Sequence, residues 1–84
     1  MLYLEEIFLV TQLEIVYRYV NPPTEIEMRA LDNVREVYGI RKISFDEKAS
    51  TVRVEFDASR LNEPEVAGLL RRAGLELKER LVLA

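Results

Sequence analysis

The sequence predicts an α+β domain with its elements in the order β-α-β-β-α-β. Three observations carry this. Two stretches of helical spacing each end on a glycine followed directly by an apolar strand, Val37-Tyr38-Gly39-Ile40 and Arg72-Ala73-Gly74-Leu75. Each helix opens on a polar cap with an acid three residues on, Thr24 with Glu27 and Asn62 with Glu65. Strict alternation at Val52, Val54 and Phe56 marks a half-buried strand between the helices.

The first strand is set by Leu13, Ile15, Tyr17 and Tyr19 on one face and Glu14 and Arg18 on the other, with Val20 at its end. Asn21-Pro22-Pro23 stops it, because proline cannot donate to a ladder. Ala30, Leu31, Val34, Val37 and Tyr38 then recur at helical spacing, with Arg29, Asp32, Asn33, Arg35 and Glu36 on the wet side. Gly39 is the C-terminal stop. Ile40 starts the second strand, with Ile43 and Phe45 facing inward, and Asp46-Glu47-Lys48-Ala49-Ser50 turns into the third to give a hairpin. The second helix follows Asn62, with Pro64 in its first turn and Val66, Ala67, Leu69, Leu70 and Ala73 as its apolar stripe. Leu75, Leu77 and Leu81, set against Glu76, Lys78 and Arg80, make the fourth strand.

Right-handed crossovers put both helices on one face of an antiparallel sheet ordered 4-1-3-2, the ferredoxin-like split β-α-β arrangement. Residues 1–12 read as an apolar N-terminal extension continuing into the first strand, and residues 13–84 as the domain. In that topology the first and last strands are antiparallel neighbours, which brings Ile7, Phe8, Leu9 and Val10 near Leu81, Val82 and Leu83. Both stretches are apolar on both faces and need cover. Two covers suit them: a second copy of the chain, or residues 1–6 folded back. The reading taken is a homodimer, with another protein as the alternative partner.

Composition narrows the chemistry. The chain has 84 residues, enough for one domain. It has no cysteine and no histidine, which removes thiolate nucleophiles, soft thiolate metal sites and the near-neutral acid–base group. No phosphate-loop glycine cluster or nucleophile elbow is present, and no catalytic activity is expected. Net charge is −3 with charged residues at 32%, which does not favour nucleic-acid binding. The open sheet face is read as Glu14, Arg18, Lys42, Ser44, Arg53, Glu55, Lys78 and Arg80, a solvated mixture of signs rather than a base-stacking platform. No basic leader precedes the first apolar residues and no apolar run is long enough to span a bilayer, so no membrane insertion and a cytoplasmic location are expected.

The run VREVYGIRKISFD from Val34 to Asp46, TVRVEFDASRL at Thr51–Leu61, and Ala73-Gly74-Leu75 give the chain a family likeness. Over about residues 13–77 it resembles the heavy-metal-associated domain family, the small copper- and zinc-carrying modules of metallochaperones and metal-pumping ATPases. The resemblance implies a metal-binding loop between the first strand and first helix, holding two cysteines. Counted back from Gly39, those two positions fall on Pro23 and Ile26, neither of which can ligate a metal through its side chain. No cofactor or metal is therefore expected. The function read from the sequence is a non-enzymatic protein-interaction or assembly module that keeps the metal-domain fold without its soft-metal site. The alternatives are a copper or zinc carrier by family descent and a small-molecule regulatory domain.

Overall fold

The computed structural model describes residues 12–81. Their elements are β1 (Gln12–Tyr19), α1 (Glu25–Arg35), β2 (Ile40–Asp46), β3 (Thr51–Asp57), α2 (Glu63–Arg72) and β4 (Leu77–Leu81). The class is α+β, with one four-stranded antiparallel sheet and two helices. The strand order is β2-β3-β1-β4, the expected 4-1-3-2 counted from the other edge.

One apolar core holds these elements together. Ile15, Tyr17, Tyr19, Ile43, Val52, Val54 and Phe56 form the sheet side, and Leu31 and Val34 of α1 with Val66, Ala67 and Leu70 of α2 close over them. Tyr19 meets the Phe45 ring edge-on, with centroids 6.0 Å apart. Leu75 joins the core from the segment before β4 rather than from the strand itself.

Local chemistry sets the boundaries. At the start of α2 the Asn62 side chain accepts from the Glu65 N–H at 2.9 Å, and the Glu65 carboxylate accepts from the Asn62 N–H at 3.0 Å. Such a cap is worth about 1 kcal/mol. α2 exits through Gly74 in the left-handed region at φ +107°, whereas α1 already ends at Arg35 with Glu36 as its C-cap, and Gly39, expected as that helix's stop, instead turns the chain into β2 at φ +104°. In the hairpin turn the Asp46 carboxylate accepts from the Ala49 N–H at 3.2 Å.

Two further expectations are corrected. Tyr38, placed on the apolar stripe of the first helix, lies beyond the end of α1 and is 70% exposed, under the guanidinium of Arg60. Helical spacing stops applying once the chain leaves the helix at Arg35. The alternation read in the fourth strand also breaks. Tyr17 pairs with Arg80 and Tyr19 with Leu77, so β4 spends three steps where β1 spends two. This bulge turns Arg80 to the helix side, beside Glu63, and Leu81 to the open face opposite Val16.

Leu70 has no exposed surface and sits where α2 meets the sheet. Leu70→Ala is expected to lower unfolding free energy by about 2–5 kcal/mol, read as a fall in the urea midpoint at unchanged slope.

Candidate functional site

The loop that the family resemblance assigns to metal, between β1 and α1, leads into the capped first turn of α1. The Val20 N–H donates to the Glu76 carbonyl at 2.9 Å, which ties the loop to the segment before β4. The Glu27 carboxylate reaches back to accept from the Thr24 N–H at 3.2 Å and from the Thr24 hydroxyl. These two bonds, the hydroxyl's first, hold Glu27 below the usual carboxylate range. Gly74 lies against the same side chain: a Cβ there would stand 2.7 Å from Glu27 Cγ. Pro23 is half-buried, and Ile26 is 79% exposed on the first turn of α1. Neither carries a donor atom in its side chain. Among the described residues no group of three or more His, Cys, Asp or Glu is placed to hold a metal ion.

A different site lies at the end of the sandwich where β1 begins and β3 ends. Gln12 pairs there with Asp57 and Leu13 with Phe56. Leu13 belongs to the inward row of β1, yet it is 48% exposed while Ile15, Tyr17 and Tyr19 are buried. The helices do not cover this end. An open groove of about 220 Å³ remains, walled by Leu13, Ile15, Phe56, Ala58 and Leu61. Its polar rim is fixed. Arg80 bridges to Glu63 at 2.7 Å, and the Tyr17 hydroxyl donates to the same Glu63 carboxylate at 3.4 Å. Burial first, and the Glu63 charge second, push the Tyr17 phenol up.

Of the apolar chain-end residues expected to form an interface, Leu81 closes β4 level with Val16. Ile7, Phe8, Leu9, Val10, Val82 and Leu83 lie outside the described residues. On the open face, Arg53 bridges to Glu14 at 3.1 Å and Arg18 to Glu79 at 3.3 Å. Val16, which lies between Glu14 and Arg18 on the same face, sits among these pairs with only 4% of its surface exposed. Arg80, expected on this face, is on the other.

Sequence reasoning missed Arg41. Ile40 pairs with Phe56 and Lys42 with Glu55, so Arg41 is an extra residue in β2. The available signal was the spacing of Ile40 and Ile43, which are three apart and both buried; strict alternation cannot bury both.

No family model matches the chain, and neither a curated protein nor a solved structure matches it. No helix among the described residues is long and apolar enough to cross a membrane.

The Glu27 contacts give a pH prediction. Its folded pKa lies below the unfolded one, so its contribution is present above the unfolded value and is lost as pH falls through the folded value. Glu27→Gln is expected to flatten the acid side of the stability profile, compared with wild type by urea midpoints from about pH 7 to about pH 3.

Proposed function

We propose that this chain is a non-enzymatic protein-interaction and assembly module of ferredoxin-like architecture, similar to a heavy-metal-associated domain without its thiolate site. Its working surface is the apolar end of the sandwich, and its partner is a second copy of the chain. The observation that carries this reading is Leu13, half exposed beside an open apolar groove. It lies at the point where the sequence runs back into Ile7-Phe8-Leu9-Val10. Contiguous apolar surface of this kind marks interaction sites. A two-fold contact would cover the same patch on both copies at once. The missing histidines and cysteines support a non-enzymatic role.

Sedimentation equilibrium of the full chain at micromolar concentration is expected to give twice the monomer mass. Leu13→Glu and Phe8→Glu are expected to return it to the monomer. Leu13 stands outside the buried core, so Leu13→Glu should keep its circular dichroism spectrum. A monomer mass for the wild-type chain would overturn the dimer.

Copper(I) competition against a chromophoric chelator separates this reading from metal carriage. The expected result is no binding beyond that of a control peptide. A stoichiometric sub-micromolar site would establish the metal-carrier alternative.

A further inference from the structure

The corner where α1 runs into β2 holds a groove of another kind, about 330 Å³ in volume. Arg35, Tyr38, Arg41, Asp57 and Arg60 line it. Three guanidiniums face two carboxylates there, Asp57 and Glu36, on a chain whose net charge is −3.

The arginines differ in what they already hold. Arg35 is ion-paired with Asp32 at 2.6 Å and donates to the Ile43 carbonyl at 3.3 Å, so it is a wall of the groove. Arg60 places its guanidinium carbon 4.7 Å from the centroid of the exposed Tyr38 ring. Arg41 has no ion pair or side-chain hydrogen bond among the described residues. It is also the bulged residue of β2, and bulges recur beside functional sites because they re-aim a side chain. The bulge lets Ile40 and Ile43 both enter the core and leaves Arg41 on the groove wall.

The surroundings are prepared in two further ways. The Asp57 carboxylate accepts from the Ser59 hydroxyl at 2.7 Å and from the Ser59 N–H at 2.9 Å through one oxygen. Those bonds, and then the charges of Arg41 and Arg60, hold it below the usual carboxylate range. Two carbonyls of the last turn of α1 and one of the turn after it are also engaged. Asn33, Val34 and Val37 accept from the N–H groups of Glu36, Val37 and Ile40, which damps the negative end of the helix dipole at this corner.

We propose that this corner is a small-molecule site for a carboxylate- or phosphate-bearing ring compound. Its anion lies between Arg41 and Arg60, and its ring rests against the Tyr38–Arg60 stack. The guanidinium fork matches carboxylate and phosphate oxygens in pairs and also stacks on planar groups. The volume is at the small end of the range for ligand pockets, roughly 300–1,000 Å³, which fits a metabolite-sized molecule. The site goes beyond the assembly reading and does not depend on it.

Amide-resolved NMR titration of the full chain tests it, with phenyl phosphate, benzoate and inorganic phosphate as separate probes. Saturable shifts are expected in residues 37–41 and 57–60, weaker at physiological than at low ionic strength. The ring-bearing anions are expected to bind more tightly than inorganic phosphate, and the order of phenyl phosphate and benzoate tells which anion the site prefers. Arg41→Gln is expected to weaken binding about tenfold; Arg29→Gln, on exposed α1 surface, is expected to leave it unchanged. Both positions are exposed, and dispersed spectra verify that both variants fold. Linear, non-saturating shifts up to millimolar probe, an Arg41→Gln variant that binds like wild type, or shifts centred elsewhere would each overturn the proposal.

Discussion

The inward row of β3 is the constraint on which the rest of the structure depends. Val52 and Val54 have no exposed surface and Phe56 almost none. β3 lies between β1 and β2, and its side chains share one core with both helices. A chain of this length buries only roughly 60–65% of the surface it exposes when unfolded, so few core positions can be spared. The central β1–β3 ladder accordingly runs from Gln12 to Arg18 without a register shift. The two irregularities fall on the edges, one in β2 and one in β4. There an extra residue disturbs a single neighbour and blunts a free edge.

Those edge bulges decide where charge goes. In β2 the extra residue reconciles two buried isoleucines and leaves Arg41 facing a polar corner. In β4 it sends Arg80 to Glu63 on the helix side and Leu81 to the open face beside Val16. Regular strands would have put Arg80 among the open-face ion pairs and left Glu63 without its bridge. The rim of the apolar groove and the lining of the polar corner are therefore products of register more than of composition.

This also explains what was legible in the sequence. Alternation in β1 and β3, the caps at Thr24 and Asn62, and the glycines before β2 and after α2, Gly39 and Gly74, are local signals, and they gave the element order and the central pairing. The sheet order followed from crossover handedness. Tyr38 was misplaced because it follows the helix by too few residues for periodicity to tell it from a core position. The phase of β4 was lost because a bulge has no local signature; only the pairing partner reveals it. Val16 lies between Glu14 and Arg18, so alternation puts it on the wet side, and its burial beside the Arg18–Glu79 and Arg53–Glu14 pairs has no local signature. The polar corner was invisible for a related reason: Arg41, Asp57 and Arg60 come from two segments joined only by the β2–β3 pairing.

The two grooves share one structural element. Asp57 lines the polar corner and Phe56 walls the apolar end, and both residues close β3. Gln12 and Leu13 pair with these same two residues. A ligand that orders Asp57 and a partner that covers Leu13 would thus act on adjacent residues of one strand. Any coupling between them must be reciprocal, since the free energy by which one favours the other is a single quantity. The β1–α1 loop lies at the far end of the strand, where the Val20 N–H donates to the Glu76 carbonyl and Glu27 lies against Gly74. The apolar groove and the polar corner both lie at the end where β3 finishes, while at the opposite end Thr24 and Glu27 start a helix.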